Sequence, residues 1–320
     1  MSCWGKSSTI SLNPSCISET LMSGRKPSSQ LRENIRSFLV LKGIEEEKIV
    51  ELLDDIPKRW EKFDDIALIP NSSFRKEMWN PIIDDEFWTK VCQSLNIERL
   101  ARSGEIVGEK REATVEMLVG NNDWVIRKEN GIKYGYHITQ CMFSSGNINE
   151  RRRMGKIVTE NEIVVDLFCG IGYYTLPILV KNNIEHVYSC EWNINAIKAL
   201  RFNLDNNNVE KKCTILEGDN RKTTDELENR ADRVLLGLLP TAEGSYNVAL
   251  KCMKEKGGVL HIHGLAPSND HQGFLAETIE KLLKMNLNYK VTNSEINKIK
   301  SYAPHWDHLV LDIEIGKNNS

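Results

Sequence analysis

The sequence predicts an α/β protein: a mostly parallel, seven-stranded sheet covered by helices, preceded by a small α+β N-terminal region. Three observations predict it. From about residue 160, short apolar runs alternate with helical patterns at regular intervals. The first of these runs leads into a glycine-containing turn, Asp166-Leu167-Phe168-Cys169-Gly170-Ile171-Gly172. Before residue 140 the pattern differs, helical at first and then alternating every second residue.

Taken in order, residues 1–30 are Ser-rich and polar, without periodicity, and are expected to be a disordered tail. Residues 31–94 read as a mainly helical region. Ile35, Phe38, Leu39 and Leu41 lie on one helical face before Gly43, and Ile49, Leu52, Leu53 and Ile56 on another before Pro57. Ile66–Pro70 is a short strand or loop, and Phe87–Leu95 a short helix. Residues 95–140 read as a small β-rich linking domain. Val115, Met117 and Val119 alternate with polar residues, a Gly-Asn-Asn turn follows, and Asn130-Gly131 predicts a hairpin after Trp124-Val125-Ile126.

Residues 141–316 form the larger domain. Its strands are expected at Ile163–Phe168, His186–Glu191, Cys213–Leu216, Arg233–Leu236 and Val259–His263. Tyr289–Ile296 and Leu309–Ile315 are expected to close the sheet as an antiparallel edge hairpin. Helices are expected through Leu176 and Leu179, over Asn195–Asn206, over Ala242–Met253 and over Glu277–Met285.

Composition limits the function. The 320 residues are 40% apolar and 27% charged, with a net charge of −3. A chain that binds nucleic acid through overall basic charge is excluded, so any such site must be a local patch. Eight cysteines stand at 3, 16, 92, 141, 169, 190, 213 and 252, none paired as CxxC. They read as separate reduced thiols of a cytoplasmic protein. His261-x-His263 and His305-x-x-His308 lack a Cys or Glu at zinc spacing, so no metal is expected. The longest uncharged apolar stretch, Leu167–Val180, has 14 residues with two glycines and a proline. That falls short of the roughly 20 residues that span a bilayer, and no membrane association is expected.

The chemistry sits at the strand ends. A dinucleotide fingerprint needs a third glycine where Thr175 stands, so the NAD reading fails. Asp166, just before the turn, would repel a pyrophosphate and suits a cation. S-adenosylmethionine carries a sulfonium and an ammonium and no phosphate. Glu191, 21 residues after Gly170, can accept from ribose hydroxyls. Asp219-Asn220, after the third strand, can meet the adenine edge. Base-directed amino-methyltransferases carry Asn-Pro-Pro-aromatic after the fourth strand. Here the text is Gly237-Leu238-Leu239-Pro240, which disfavours N-methylation of an exocyclic amine.

Eight stretches carry a family resemblance: ERLAR (98–102), CMFSSGN (141–147) with Glu150-Arg151, DLFCGIGYYTLP (166–177), CEWN (190–193), GDNR (218–221), DRVLLGLLP (232–240), GGVLHIH (257–263) and KSYAPHWDHLVLD (300–312). Over about 95–315 the chain closely resembles the wybutosine-synthesis aminocarboxypropyltransferases, kin to the class I tRNA guanine-N1 methyltransferases. The resemblance implies a Rossmann-like class I S-adenosylmethionine-dependent fold. It implies transfer of the 3-amino-3-carboxypropyl group of S-adenosylmethionine to carbon 7 of 4-demethylwyosine at position 37 of tRNA-Phe, releasing methylthioadenosine. Ser144 and Arg151 lie in the motif that would contact the donor, with Arg151 suited to the methionine carboxylate.

The expected donor-binding set is therefore Ser144, Arg151, Asp166, Gly170, Gly172, Glu191, Asp219 and Asn220. Candidate substrate or RNA residues are Arg152, Arg153, Pro240 and His305, the last read either as facing substrate or as capping its loop. Lys156 completes a basic patch with Arg151–Arg153, which Arg99, Arg102, Lys110 and Arg111 would extend. Phe143, Tyr173 and Trp306 are candidates for stacking on an extruded base. No general base is identified, and the chain is expected to act on tRNA-Phe as a monomer. Two readings compete: a tRNA guanine-N1 methyltransferase acting at position 37, and a non-catalytic RNA-binding subunit. The intact Gly170, Gly172, Glu191 and Asp219 argue against the second.

Overall fold

The computed structural model describes residues 26–104, 106–107 and 112–318. The chain forms two compact units, Met1–Gly104 with Glu116–Asn121, and Glu105–Val115 with Asn122–Ser320. Residues 1–25 of the expected tail, and Lys110 and Arg111 of the expected patch, lie outside the described residues.

The first unit opens with α1 (Pro27–Leu41) and α2 (Glu46–Leu53). Proline is tolerated in the first turn of α1 because that N–H needs no intrahelical partner. The helix therefore starts within the expected tail. Leu31, Ile35, Phe38 and Leu39 make its buried stripe. β1 (Glu61–Phe63), β2 (Ile66–Ile69), α3 (Asp85–Leu95) and β3 (Arg99–Arg102) follow. Asp84 caps α3 by accepting from the Phe87 N–H at 2.7 Å, and Asn96 ends it in the left-handed conformation. Two short strands, β4 (Ile106–Val107) and β5 (Glu112–Ala113), pair with each other, and β6 (Glu116–Val119) completes a four-stranded sheet ordered β1-β2-β3-β6. Trp79, Phe74 and Phe87 meet edge-on or tilted in its core, and the Trp79 indole donates to Asp55 at 3.0 Å.

Besides its helices, the region 31–94 holds two strands of a sheet, β1 and β2. The region 95–140 is not a domain of its own. β3 and β6 belong to the first unit's sheet, while the hairpin of β7 (Trp124–Glu129) and β8 (Ile132–His137) belongs to the second unit. β3 pairs in parallel with β2 across an intervening helix. Local alternation cannot reveal such a partner. The Asn130-Gly131 turn is as expected: both residues take positive φ, 53° and 80°, and Glu129 pairs with Ile132.

The second unit continues with α4 (Ile148–Ile157), β9 (Ile163–Asp166), α5 (Thr175–Lys181), β10 (His186–Glu191), α6 (Ile194–Asn206), β11 (Cys213–Glu217), α7 (Asn220–Thr223) and β12 (Arg233–Leu236). It ends with α8 (Tyr246–Cys252), β13 (Gly257–Pro267), α9 (His271–Met285), β14 (Tyr289–Ala303) and β15 (Trp306–Lys317). The seven strands order as β11-β10-β9-β12-β13-β15-β14. All pairs are parallel except those made by β15. β9 and β12 read as unbroken apolar runs because both of their faces are covered. Val165, Val234, Leu236, Ile262, Leu311 and Ile313 pack with Leu250 and Leu282 in one core. After β10 and β11 extend the sheet on one side of β9, the chain returns to the other side with β12. The crevice beyond the carboxyl ends of β9 and β12 is therefore the switch point where this topology accepts ligands. The edge hairpin is longer than the sequence suggested. The added residues of β14 are half-buried or exposed and carry no apolar alternation to read, while Asp307 and His308, which lengthen β15, are buried polar residues.

Candidate functional site

A cavity of about 430 Å³ opens at that switch point, within the range of small-molecule sites. It is walled by the ends of β9, β10, β11, β12, β13 and β15 and by the segment from Gln140 to Arg151.

The turn after β9 sets its floor. Gly170 (φ 56°) and Gly172 (φ 96°) both need the left-handed region. A side chain at Gly170 would strike the Tyr173 ring at 2.5 Å. At Gly172 it would strike Leu176 and Leu200, each at 2.9 Å. Gly170 lines the cavity and Gly172 does not. The second glycine serves close packing behind the turn and is corrected from a ligand contact to a packing position.

Glu191 ends β10 on the cavity wall. Its Oε2 accepts from Gly170 N at 2.9 Å, and its Oε1 from Trp192 N and Asn193 N at 2.9 and 2.8 Å. A carboxylate offers about four acceptor positions, so one remains for a ribose hydroxyl rather than the two expected. Burial raises its pKa, opposed by those backbone donors.

Asp166 is fully buried and does not line the cavity. It accepts from the Thr175 hydroxyl at 2.9 Å and from Phe168 N at 3.3 Å. Its role is to hold the turn from behind, and burial pushes its pKa up to about 6. An Asp whose folded pKa lies above its unfolded value of about 3.9 contributes most stability when protonated. That contribution is complete below pH about 3.9 and is lost as pH rises through about 6. Asp166→Asn removes the loss. The Thr175 hydroxyl can then donate to Ser189, 2.9 Å away, and accept from the new amide. The variant should be roughly 2–3 kcal/mol more stable than the parent at pH 7.5, the gap closing by pH 4. Urea unfolding at both pH values checks this, and a gap that does not change with pH counts against it.

Asp219 caps α7 through Arg221 N at 3.0 Å, pairs with the Arg221 guanidinium at 2.6 Å and still lines the cavity. The hydrogen bond from Arg221 holds its carboxyl below the usual range. Asn220 is nearly buried, and both ends of its amide are used. Nδ2 donates to Leu167 O at 3.0 Å and Oδ1 accepts from Ser245 at 2.9 Å. Its side chain clamps the turn, and the residue also lines the cavity.

Arg151 is also corrected. Its guanidinium is buried and forks onto Glu129, with Nε–Oε1 at 2.6 Å and Nη2–Oε2 at 2.7 Å. Its Nη1 donates to the Ser144 carbonyl at 2.9 Å, and it lies 4.4 Å over the Phe143 ring. Arg151 therefore shapes the Ser144 segment and does not wait for a carboxylate. The cation at that wall is Lys300 on β14, whose Nζ donates to the Ser144 hydroxyl at 3.0 Å. Its motif had drawn notice, but no local pattern marks a lone strand lysine.

Two members of the expected basic patch, Arg151 and Arg153, are spent inside the protein. Arg153 is bound to Glu150 at 2.8 Å and to Asp312. It joins a network in which His261 links Asp312 to Arg233, and Arg233 pairs with Glu162 at 2.7 Å. These bonds tie α4 to the sheet. Arg99 and Arg102 lie in the other unit, paired with Asp65 and Glu116. Arg152 and Lys156 are exposed, Arg152 donating to Asn130 at 3.1 Å.

Phe143 packs among Tyr134, Tyr136 and Tyr173 and is not free to stack on a base. Tyr173 lines the cavity, its hydroxyl donating to the Met142 carbonyl. Trp306 and His305 stand outside it. His305 forms the β14–β15 turn at φ 65°, and its carbonyl accepts from Ser268 N at 2.9 Å. Pro240 follows a cis peptide bond, and its carbonyl accepts from Leu265 N at 3.1 Å. Its neighbours Leu238, Leu239 and Thr241 reach the cavity, and Pro240 itself does not. Sequence reasoning missed His263 and His308 on the far wall, because their pairing is made by strands that are distant in sequence.

Among the described residues, no helix is long and apolar enough to cross a membrane, and no group of His, Cys, Asp and Glu could hold a metal ion.

Comparison with known proteins gives a consistent picture. Residues 125–292 match the TRM5/TYW2 methyltransferase domain, and residues 41–123 the TYW2 N-terminal domain. The chain is 44% identical over 294 residues to tRNA wybutosine-synthesizing protein 2/3/4 of Arabidopsis thaliana, covering 90% of this chain and 29% of that protein. It thus spans under a third of that plant relative. It is 36% identical to the tRNA wybutosine-synthesizing protein 2 homolog of Danio rerio, covering 89% of this chain and 78% of the relative. The crystal structure of P. horikoshii TYW2 in complex with MeSAdo superposes with TM-score 0.73 at 30% identity, covering 90% of this chain and all of that one. A complex of aTrm5 with tRNALeu superposes with TM-score 0.62 at 26% identity, covering 86% and 76%.

Proposed function

The chain belongs to the TRM5/TYW2 family, and we propose that it moves the 3-amino-3-carboxypropyl group of S-adenosylmethionine onto carbon 7 of 4-demethylwyosine at position 37 of tRNA-Phe. Methylthioadenosine is the by-product. The observation that carries this reading is the composition of the switch-point cavity. One half offers Glu191 and Asp219 to a nucleoside, and the other brings Lys300 and Ser144 together. The names of the relatives and the MeSAdo bound to the P. horikoshii protein support the same donor.

The residues fit the donor. Glu191 takes a ribose hydroxyl, and Asp219 faces the same wall of the cavity. Lys300 and Ser144 present an ammonium and a hydroxyl to the carboxylate of the transferred arm. A sulfonium has three electrophilic carbons, and the one held in line with the nucleophile reacts. Anchoring the arm near Ser144 is how this chain's residues would select its γ-carbon over the methyl group. Leu238 and Leu239, where amino-methyltransferases place an amide, give the incoming base an apolar surface and no partner for an exocyclic amine. The exposed Arg152 and Lys156 supply phosphate contacts. We place its action, as a monomer, in the cytoplasm, a reading that the six free thiols of the described residues support.

The by-product decides between this and methyl transfer. With S-adenosylmethionine and tRNA-Phe carrying the tricyclic base, mass spectrometry should find methylthioadenosine, and none with tRNA lacking that base. S-adenosylhomocysteine instead would assign the chain to methyl transfer.

A further inference from the structure

We propose that His263 is the proton acceptor of this transfer and that His308 holds it in the tautomer the task needs. The inference rests on the proposed reaction and names the base that reaction requires.

His263 lies one residue beyond the point where β13 pairs with β12 through Ile262 and Leu236. It therefore sits beside the turn that begins at Gly237. That turn is fastened to the same strand by the Thr241–Gly264 bridge and the Leu265 N–Pro240 O bond. Glu191 ends β10, three strands away in the sheet. At about 4.8 Å per strand the two residues are separated by roughly 14 Å. The nucleoside end and the histidine end of the cavity are thus distinct, and the histidine end adjoins the turn that borders the incoming base.

Both histidines line the cavity and are otherwise buried, with 1% and 0% of their surface exposed. His263 Nδ1 lies 3.0 Å from His308 Nε2. The Tyr174 ring, 5.0 Å away between centroids, packs against the His263 imidazole. The remaining nitrogen of His263, Nε2, is buried and has no hydrogen-bond partner in the protein. An unsatisfied buried nitrogen costs about 1–3 kcal/mol, and a wall of a reaction cavity is where such a group has a use. If Nδ1–H of His263 donates to His308 Nε2, the lone pair of His263 Nε2 is left without a donor on a residue that lines the cavity. Burial first, then the neighbouring His308, His261 and Arg153, hold the His263 imidazole well below the usual histidine range. It is therefore uncharged and able to accept near neutral pH.

The step balances. The π electrons at carbon 7 form the bond to the γ-carbon of the arm. The bond from that carbon to sulfur breaks, and its electron pair stays on sulfur, leaving neutral methylthioadenosine. Carbon 7 then holds a hydrogen that must leave for the ring to regain aromaticity. The proton goes to His263 Nε2, and the C–H pair returns to the ring. The imidazolium loses its proton to solvent after product release. The arenium-type proton is strongly acidic, so a weak base is adequate.

The parent chain and two variants of it test this. His263→Asn keeps an amide where Nδ1 was, able to donate to His308, and removes Nε2. His263→Gln restores a hydrogen-bonding atom near Nε2 without its basicity. Positioned proton transfer is worth 10²–10⁴-fold, so both variants should lose about 100-fold in kcat at similar KM for the tRNA. With carbon 7 deuterated, the isotope effect should be near unity in the parent and become a clear primary effect in both variants. Binding of S-adenosylmethionine should stay within a few-fold. Recovery of rate in His263→Gln, or an isotope effect that stays near unity, would overturn the proposal in favour of simple base recognition. Should the variants fail to fold, ¹⁵N NMR of the parent's histidines decides without turnover. The Nδ1–H tautomer of His263 near pH 7 is required, and the Nε2–H tautomer or an imidazolium refutes it. A parent that makes no methylthioadenosine sinks the proposed function itself, whereas an active parent with an equally active His263→Asn sinks only the base.

Discussion

Glu191→Ala should weaken S-adenosylmethionine binding by about 100-fold. The carboxylate has one acceptor position left for the ribose after meeting Gly170 N, Trp192 N and Asn193 N. A hydrogen bond to a charged group contributes about 1.5–3 kcal/mol, and each 1.4 kcal/mol is a factor of ten. The same substitution releases three backbone donors, so the turn after β9 loses its anchor to β10 as well. Glu191→Gln keeps one acceptor oxygen and should lose about tenfold. Isothermal titration of the purified proteins, with circular dichroism to confirm the fold, reads both. Affinity within threefold of the parent for the Ala variant would remove Glu191 from the donor site.

Breaking the Arg151–Glu129 pair should produce the largest loss of stability. Arg151 has 1% of its side chain exposed and Glu129 6%. Such a pair is costly to leave half-made. Removing one partner of a buried pair destabilises by about 3–5 kcal/mol, because the other charge stays buried alone. Arg151→Leu should therefore lower the melting temperature by roughly 8–15 °C for a unit of this size. The double variant Arg151→Leu with Glu129→Leu should recover most of that loss, since no charge is left stranded. Differential scanning calorimetry of the four proteins closes the cycle. An Arg151→Leu variant that melts with the parent would mean that Arg151 is not committed to Glu129 in solution. The single variant should also bind the donor less well, because Arg151 holds the Ser144 carbonyl in place.

Several site residues were legible from spacing alone. Gly170 and Glu191 stand at strand ends fixed by the alternation of strand and helix, and a parallel sheet brings the ends of neighbouring strands to one crevice. Knowing the strands was therefore enough to bring the glycine turn, Glu191 and Asp219 together. The roles of Asp166, Gly172, Asn220, Arg151 and Arg153 were not legible. Each lies in a motif beside the cavity, but Gly172 serves packing, Asp166 holds its own turn, and the side chains of Asn220, Arg151 and Arg153 are spent on partners remote in sequence. Asn220 reaches back 53 residues to Leu167, and Arg153 reaches forward 159 to Asp312. A basic or amide residue looks the same in sequence whether it faces solvent, ligand or a buried carboxylate.

The division within 95–140 shows the same limit in the fold. The Asn-Gly hairpin could be read because its register is set by two residues with special backbone angles. The assignment of β3 and β6 to the first unit could not, because it depends on a parallel partner across α3.

The sequence by itself determined the strand–helix alternation, the sheet it implies, the glycine turn and the acidic strand ends, because these follow from periodicity and local backbone chemistry. Only the tertiary structure decided which charges are consumed inside the protein and which reach the cavity. It turned Arg151 onto Glu129, brought Lys300 from the edge hairpin to Ser144, and paired His263 with His308. The physical reason is that β15 inserts antiparallel between β13 and β14. That single placement carries residues from the end of the chain to a site whose glycine turn lies at its middle.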